Sequence, residues 1–532
     1  MSTAPQALAS TFALRRRALL VLACVGAFGL AACKPSSRPA YQGEGRLVAA
    51  GPAREVLAAP GGGALAWLAE PTLASDRGHN TSNQVYLGIA TFSAFGPPVT
   101  LGRGVATVPG SFFFSPSGAQ VGALTQWSFQ GQTGVLVVGD VNHSKARTVA
   151  RDVSFFAFSR DGETLGYVAE SALWIGPADG SAPAAKVAND VSTFEFAPDG
   201  SSLVARSRSL MGGKLSLVEP GSGRLPTDLG EGTAEYAWSP DGSRIAFTSR
   251  NAAGGYDLFV LKPGQRPEKI GSGVPTFRFS FDGKHLAYIG DVSFKKQFGD
   301  LFLLPGGSKT SVKLGETVID FAFSPSSERI AWLDKYNAQN RGGTLTWAQV
   351  GPKPEPHDFG PDVPSFIWSP DSEHLAYAKR QLTPVFSIDL FLAEAGGENE
   401  TQQVGQGVFG YAFDTDSERL FMRTRCTRNG RACDLRSIPV AKPDEASTLV
   451  ARAIHTFEPA TEDGDLLLIT YARTDADALD IAVVPSDGSQ EPRMLDQRVL
   501  AGTQIVRRGK ESGVAYAVLD PNRLGVYLAE FD

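Results

Sequence analysis

The chain has 532 residues, and its 58 glycines and 34 prolines are spread evenly, as in all-β proteins that are dense in turns. Its length exceeds that of one ordinary domain and is ample for large hydrophobic cores. A net charge of −6 is too small to indicate a strongly charged partner by itself, and we expect no nucleic-acid binding.

The first 32 residues have the composition of a bacterial export signal. Arg15–Arg17 form a basic segment, and the apolar run Ala18–Leu30 is too short for a comfortable membrane span. Small residues before Cys33 resemble a lipobox, in which the cysteine is acylated, with palmitate for example, and becomes the mature N-terminus. A signal peptide without lipidation and an inner-membrane anchor are the alternatives.

The residues after the signal predict where the protein is held. By resemblance to lipoprotein sorting in Gram-negative bacteria, Lys34 favours the periplasmic side of the outer membrane. Acyl chains hold such a protein stably, since each buried CH₂ contributes about 0.8 kcal/mol. Residues 33–44 are rich in Pro, Ser and Gly and are predicted to be a flexible tether.

The rest of the chain is organised by a repeat whose clearest copy is Glu235–Phe247. Alternating aromatic residues precede an Asp241-Gly242 turn, and an alternating apolar strand follows. This pattern predicts a β-hairpin, because glycine tolerates the positive φ that the turn needs. Eleven copies can be recognised, and after a first step of 56 residues their spacing is 38 to 45 residues. Such a period of short strands is typical of propeller blades.

Each repeat also contains a third strand, such as Asp257–Leu261, and a short fourth strand, such as Glu268–Ile270. Four strands make one blade, and blades packed radially bury the faces that a single twisted sheet would expose. We therefore predict an all-β propeller whose recurring aromatics form the core between blades. Recurring aspartates before the third strand, such as Asp257, Asp300, Asp389, Asp434 and Asp480, are expected to have a structural hydrogen-bonding role.

The aromatic-x-aromatic-Ser-Pro-Asp-Gly-x-x-Leu-Ala-Tyr pattern resembles the WD-like repeats of TolB-type propellers of the bacterial envelope, over roughly residues 55 to 520. TolB has an α/β domain before its propeller, whereas the repeats here begin about 25 residues after the leader. The partner of TolB, the peptidoglycan-associated lipoprotein Pal, is therefore not carried over to this chain.

Eleven units exceed the four to eight blades that single propellers usually have. The sequence thus favours two propellers, residues 45–272 and 273–532, with one large ring as the alternative. The last repeat lacks a fourth strand, which Arg46–Ala49 could provide. That closure would join the two ends of the chain in one ring.

Two cysteines face each other across a predicted hairpin centred on Asn429-Gly430. Counting outward from this turn pairs Cys426 with Cys433, at a separation that suits a disulfide. An oxidising periplasm permits the bond, and a metal pair would lack nearby Cys or His ligands.

No catalytic motif stands out, and we expect no enzyme activity, cofactor or metal. One surface is more suggestive, since the loops between second and third strands contain more basic than acidic residues. An anionic partner, either an acidic protein surface or a polyanionic glycan, is therefore predicted. The basic residues proposed to bind it are Lys295, Lys296, Lys335, Arg341, Lys379, Arg380, Arg425, Arg428 and Arg431.

These features favour a lipid-anchored propeller scaffold that binds proteins of a cell-envelope machine for integrity, transport or motility. A glycan- or peptide-binding module is the first alternative. It predicts exposed loop aromatics, for which Phe294, Phe298, Tyr336 and Phe386 are candidates. An enzyme with a site in a central channel is the second alternative.

Overall fold

The computed structural model describes residues 43–69, 87–106, 110–208, 213–292, 298–337, 341–380, 387–396, 401–474, 478–509 and 511–531. Over these ranges the chain is all-β, since the one helical element is a single 3-10 turn, η1 (Pro60–Gly62). None of the described segments contains a helix long and apolar enough to span a membrane. The predicted signal peptide, Cys33 and the tether up to residue 42 lie outside the described residues, as do Lys295 and Lys296.

The strands of the first half are β1 (Arg46–Ala50), β2 (Ala53–Ala58), β3 (Leu65–Ala69), β4 (Leu87–Ser93), β5 (Val99–Ala106), β6 (Phe112–Phe114), β7 (Gln120–Ser128), β8 (Thr133–Asp140), β9 (Lys145–Phe158), β10 (Thr164–Ala169), β11 (Ala172–Pro177), β12 (Ala185–Asn189), β13 (Thr193–Phe196), β14 (Leu203–Arg206), β15 (Gly213–Val218), β16 (Thr227–Thr233), β17 (Tyr236–Trp238), β18 (Ile245–Arg250), β19 (Tyr256–Leu261) and β20 (Glu268–Ser272).

Those of the second half are β21 (Thr276–Phe279), β22 (Leu286–Gly290), β23 (Gly299–Leu304), β24 (Val312–Val318), β25 (Asp320–Phe323), β26 (Arg329–Asn337), β27 (Gly342–Gln349), β28 (His357–Val363), β29 (Ser365–Trp368), β30 (His374–Arg380), β31 (Ile388–Glu394), β32 (Thr401–Phe413), β33 (Arg419–Thr424), β34 (Cys433–Pro439), β35 (Thr448–Ile454), β36 (Thr456–Pro459), β37 (Leu466–Ala472), β38 (Ala478–Pro485), β39 (Arg493–Leu500), β40 (Gln504–Arg508), β41 (Glu511–Val518) and β42 (Gly525–Phe531).

Neighbouring strands pair antiparallel in sets of four, and we call each set a unit. Five units are separate sheets: β2–β5, β13–β16, β17–β20, β21–β24 and β25–β28. Two seven-stranded sheets, β6–β12 and β29–β35, each hold two units that share one long strand, β9 or β32. An eight-stranded sheet joins β36–β39 to a unit made of β40, β41, β42 and β1. The predicted all-β architecture of four-stranded antiparallel units is confirmed.

The hairpin predicted around Asp241-Gly242 joins β17 to β18 and is confirmed. Gly242 has a φ of 73°, and its N–H donates to the carbonyl oxygen of Ser239 at 2.8 Å. The Ser239 hydroxyl donates to Asp241 Oδ1 at 2.5 Å and accepts the N–H of Arg244 at 2.9 Å. One serine side chain therefore links the carboxylate of the turn to the start of the second strand.

Three later turns carry serine where the repeat has glycine. Ser327, Ser372 and Ser417 have φ values of 68°, 71° and 68°, which are unfavourable for a residue with a Cβ. Each hydroxyl accepts a hydrogen bond from a backbone N–H in the turn of the preceding unit, at 2.8 to 3.0 Å. These bonds offset the backbone strain and connect the turns of neighbouring units.

Buried apolar clusters lie between consecutive units. Trp238 packs with Leu215 of the preceding unit, and Leu258 packs with Phe277 of the following one. The second of these clusters crosses residue 272, where the sequence favoured a boundary between two propellers. The predicted role of the recurring aromatics as core residues between units is confirmed.

The first and last units also pack together. Strand β1 pairs antiparallel with β42, with Arg46 opposite Leu528, as expected for a strand that completes the last repeat. A buried cluster then joins this unit to β2–β5, and it includes Trp67 of β3 and Val526 of β42.

Because the strands of each unit are antiparallel, the loops that connect them lie at two opposite edges of the unit. We call the edge with the first-to-second and third-to-fourth strand turns the turn face, and the edge with the second-to-third strand loops the loop face. Strand β1 is the fourth of its unit and starts at the turn face. There the N–H of Glu44 donates to the Leu495 carbonyl at 3.4 Å, and its carboxylate pairs with Arg493. The tether therefore joins the folded chain at the turn face.

Candidate functional site

The described members of the predicted basic set lie at the loop face of three successive units. Lys335 and Arg341 flank the β26–β27 loop, and Lys379 and Arg380 lie at the end of β30. The remaining three lie in the β33–β34 hairpin: Arg425, Arg428 and Arg431. The structure thus places these residues on one face.

Exposure divides this set. Lys379 is half-buried, and its Nζ lies 5.1 Å from the ring centroid of Phe391 and 5.8 Å from that of Tyr377. This ammonium group covers aromatic rings of its own sheet and is less able to meet a partner. Arg431 is also half-buried, whereas the exposed members are Lys335, Arg341, Arg425 and Arg428.

The β33–β34 hairpin presents three of the arginines and is braced at its base. The Sγ atoms of Cys426 and Cys433 are 2.02 Å apart, at bonding distance, and their Cα atoms are 4.0 Å apart. Arg423 donates to the carbonyl oxygen of Gly430 at 2.8 Å, and burial lowers its pKa. Arg423 therefore supports the hairpin from within.

Acidic side chains near the loops are partly neutralised by their own units. Asp334 is buried, accepts a hydrogen bond from Trp332 Nε1 at 3.2 Å, and has a pKa raised by burial. The recurring aspartates lie at the start of the third strand and form ion pairs, in agreement with a structural role: Asp257 with Lys269 at 2.7 Å, Asp300 with Lys313 at 3.0 Å and Asp480 with Arg473 at 3.0 Å.

A cavity of about 790 Å³ opens beside the β33–β34 hairpin, where β32 passes from one unit of its sheet to the next. Among the described residues, this lining has two arginines and no carboxylate. The residues that line it are Ser387, Gln403, Val404, Gly405, Gln406, Gly407, Phe409, Met422, Thr424, Arg425, Cys426, Arg436 and Ser447.

Two strand residues, Thr424 and Arg436, place hydrogen-bonding groups at this cavity. The Thr424 side chain is 7% exposed, and its Oγ1 has no hydrogen-bond partner among the described residues. Arg436 is half-buried and donates from Nε to the Ser447 hydroxyl at 2.8 Å, which fixes its guanidinium at the cavity wall. With Arg425 on the rim, the arrangement suits a carboxylate or another anionic group.

Sequence reasoning missed Thr424 and Arg436 because it searched loops alone. The signal that could have indicated Arg436 is its position inside β34, a strand of mostly buried residues. Within the described residues no three His, Cys, Asp or Glu side chains are grouped so that they could hold a metal ion.

Comparisons with known proteins place the chain in no family. No family model matches it, and no curated protein matches it. A solved structure of the eukaryotic initiation factor is similar over 69% of this chain and 94% of its own, with 13% identity and a TM-score of 0.40. Tricorn protease is similar over 88% of this chain, with 11% identity and a TM-score of 0.31, and this chain spans 57% of its length.

Proposed function

We propose that the chain is a single propeller ring of eleven blades, the alternative to a division at residue 272. Three observations support this arrangement. The described strands form eleven units. Similar buried clusters lie between consecutive units before, across and after residue 272. The unit that β1 completes packs against the first unit. Two separate propellers would each need a closing interface of their own.

We infer that this ring is a non-enzymatic, lipid-anchored scaffold on the periplasmic side of the outer membrane, which binds a partner with an acidic surface. The observation that carries the proposal is that the start of β1, where the described chain begins, and the basic residues lie on opposite faces. An extended tether from Cys33 to Arg46 spans at most about 45 Å. The turn face would then face the membrane, and the loop face would point into the periplasm.

The cavity beside the β33–β34 hairpin is the proposed docking point. A carboxylate from the partner would meet Arg425 and Arg436 and accept a hydrogen bond from the Thr424 hydroxyl, whose oxygen has no partner among the described residues. Apolar contact would come from Phe409 and Met422 on the same wall. Charge-assisted pairing in a partly desolvated cavity gives both orientation and affinity.

The test is crosslinking in intact cells, followed by purification through a C-terminal tag and mass spectrometry. The wild type should capture a small set of envelope proteins, and the double variant Arg425→Glu/Arg428→Glu should lose them. The control Lys353→Glu/Lys442→Glu makes the same charge change at two exposed turn-face positions and should capture them normally. An unchanged set with the arginine variant would contradict the proposal.

One contact favours the alternative of a glycan-binding module. The rings of Phe298 and Tyr336, from the ends of neighbouring loops, lie 4.9 Å apart and are half-buried. Adjacent aromatic rings can stack on sugar. The test is binding of lipopolysaccharide to purified protein. This alternative is supported if the arginine variant binds as well as the wild type and Phe298→Ala no longer binds.

A further inference from the structure

Four turns of the repeat contain a carboxylate that a neutral side chain holds. The serine hydroxyl two residues before the turn aspartate donates to it in four units. These pairs are Ser159–Asp161 at 2.5 Å, Ser239–Asp241 at 2.5 Å, Ser280–Asp282 at 2.6 Å and Ser369–Asp371 at 2.5 Å. A buried hydroxyl at this position makes the hydrogen bonds that the turn needs without adding a charge.

The β32–β33 turn departs from this arrangement, because its serine is replaced by Asp414. A second carboxyl group therefore lies beside the turn carboxylate, Asp416. Asp414 is 5% exposed, and its Oδ1 has no hydrogen-bond partner among the described residues. Burial first, and then the charge of Asp416, raise the pKa of Asp414 to about 6. At neutral pH the unit thus holds two neighbouring carboxylates, Asp414 and Asp416, which only the Arg419 backbone N–H and guanidinium partly compensate at Asp414.

A cavity of about 370 Å³ opens at this carboxyl pair, on the turn face, between the β32–β33 turn and two turns of the next unit. Its lining carries six carboxyl groups and one guanidinium, that of Arg419. The acidic residues of the lining are Asp414, Asp416, Glu418, Asp463, Asp465 and Asp487.

Hydrogen bonds keep two of these carboxylates ionised. The Thr461 hydroxyl and the Asp465 N–H lower the pKa of Asp463, and the backbone and side chain of Ser489 lower that of Asp487. The cavity therefore holds a strong negative potential around a buried carboxylate.

The size and shape of the cavity point to the class of cation. Its volume is that of several water molecules, more than a bare ion fills. Its acidic groups are also not arranged as a metal-binding cluster. Leu466 and Pro485 are the apolar side chains of an otherwise mostly polar lining, and an aliphatic chain would contact them. An ammonium or guanidinium head offers three or more donors, which suits several separate carboxylates.

We propose that this acidic cavity binds an organic cation, an ammonium or guanidinium group on an aliphatic chain, with Asp414 as its buried counter-ion. The cation comes either from a lysine or arginine side chain of a protein or from a free polyamine. This site is independent of the basic loop face, and it lies on the face where the tether joins.

The test measures binding to the full mature lipoprotein in detergent by calorimetry at neutral pH. The probes are spermidine, N-acetyl-lysine amide, N-acetyl-arginine amide and Ca²⁺. Asp414→Ser restores the side chain of the other turns and should therefore fold. Asp444→Ser, at a turn that does not line the cavity, is the matched control.

We expect at least one organic probe to bind the wild type and the control alike, and to lose affinity at least about tenfold in Asp414→Ser. Tighter binding of an amino-acid amide indicates a protein side chain, and tighter binding of spermidine indicates a free polyamine. Three results would overturn the proposal: no organic probe binds at millimolar concentration, Asp414→Ser binds as the wild type does, or Ca²⁺ binds more tightly than every organic probe.

Discussion

Asp414→Ser is expected to stabilise the folded chain at neutral pH and to have little effect of ionic origin near pH 4. In the unfolded chain the carboxyl has a pKa of 3.8, and in the folded chain burial and Asp416 raise it to about 6. An acid whose pKa is raised by folding destabilises the fold once it must ionise. This loss of unfolding free energy is absent below pH 3.8 and complete above pH 6, where it amounts to about 3 kcal/mol.

Thermal unfolding of the two proteins at both pH values measures this effect. For a chain of this size the unfolding entropy is about 1 kcal/mol/K, so the variant should melt about 3 °C higher at neutral pH. A smaller gain, from the hydrogen bonds that serine makes in other units, should appear at both pH values.

The reciprocal change provides the control. Ser369→Asp places a carboxyl beside Asp371 and should lower the melting temperature at neutral pH and less so near pH 4. If Asp414→Ser shifts the melting temperature equally at both pH values, the stabilisation does not arise from ionisation and the argument from the carboxyl pair is refuted.

Three further predictions concern serine and cysteine residues. Ser372→Gly loses the bond from the Ser326 N–H, worth about 1 kcal/mol, but also relieves the strain of a φ of 71°, so the free energy of unfolding should change little. Ser372→Ala loses the same bond and keeps the strain, so it should cost about 1 kcal/mol. Chemical denaturation measures both variants, and equal costs would contradict the reasoning. Cys33→Ser should move the protein from the membrane to the soluble fraction, and unchanged fractionation would contradict lipid anchoring. Cys426→Ser/Cys433→Ser should lower stability by about 2 kcal/mol, as expected for a short closed loop, whereas equal stability of the wild type with and without reductant would contradict a structural disulfide.

Periodicity was sufficient to predict the units, and the missing fourth strand of the last repeat indicated β1, but neither decides between one ring and two. The alternation around Trp238 and the Asp241-Gly242 turn specify a hairpin locally, and the structure has that hairpin. The number of rings depends on which unit packs against which, and these contacts connect residues that are distant in the chain. The cluster around Leu258 and Phe277 is an example, because its members look like those of any other repeat.

The turn serines show a second limit. A residue such as Ser417 breaks the Asp-Gly pattern, and its positive φ is tolerated because a backbone N–H of the preceding turn donates to its hydroxyl. That donor belongs to another unit. Local sequence rules treat each turn alone and therefore cannot detect the compensation.

The candidate site was predicted only in outline. Counting charges in loops found Arg425 and Arg428, which are exposed, but it also included Lys379, which covers rings of its own sheet. It missed Arg436 and Thr424, because a cavity wall is formed by strand residues whose exposure depends on the neighbouring unit. Charge is visible in a sequence, whereas orientation and burial are not.

Closure by β1 also determines when the protein can finish folding. Arg46 and Leu528 are paired although they are 482 residues apart in the chain. Until β42 has been made and folded, β1 and the open side of β2–β5 lack their partners. Contacts of such sequence separation form late, and unpaired strand edges are prone to aggregate. The incompletely paired chain, with β1 and β2–β5 still open, is therefore the state most exposed to chaperones and proteases.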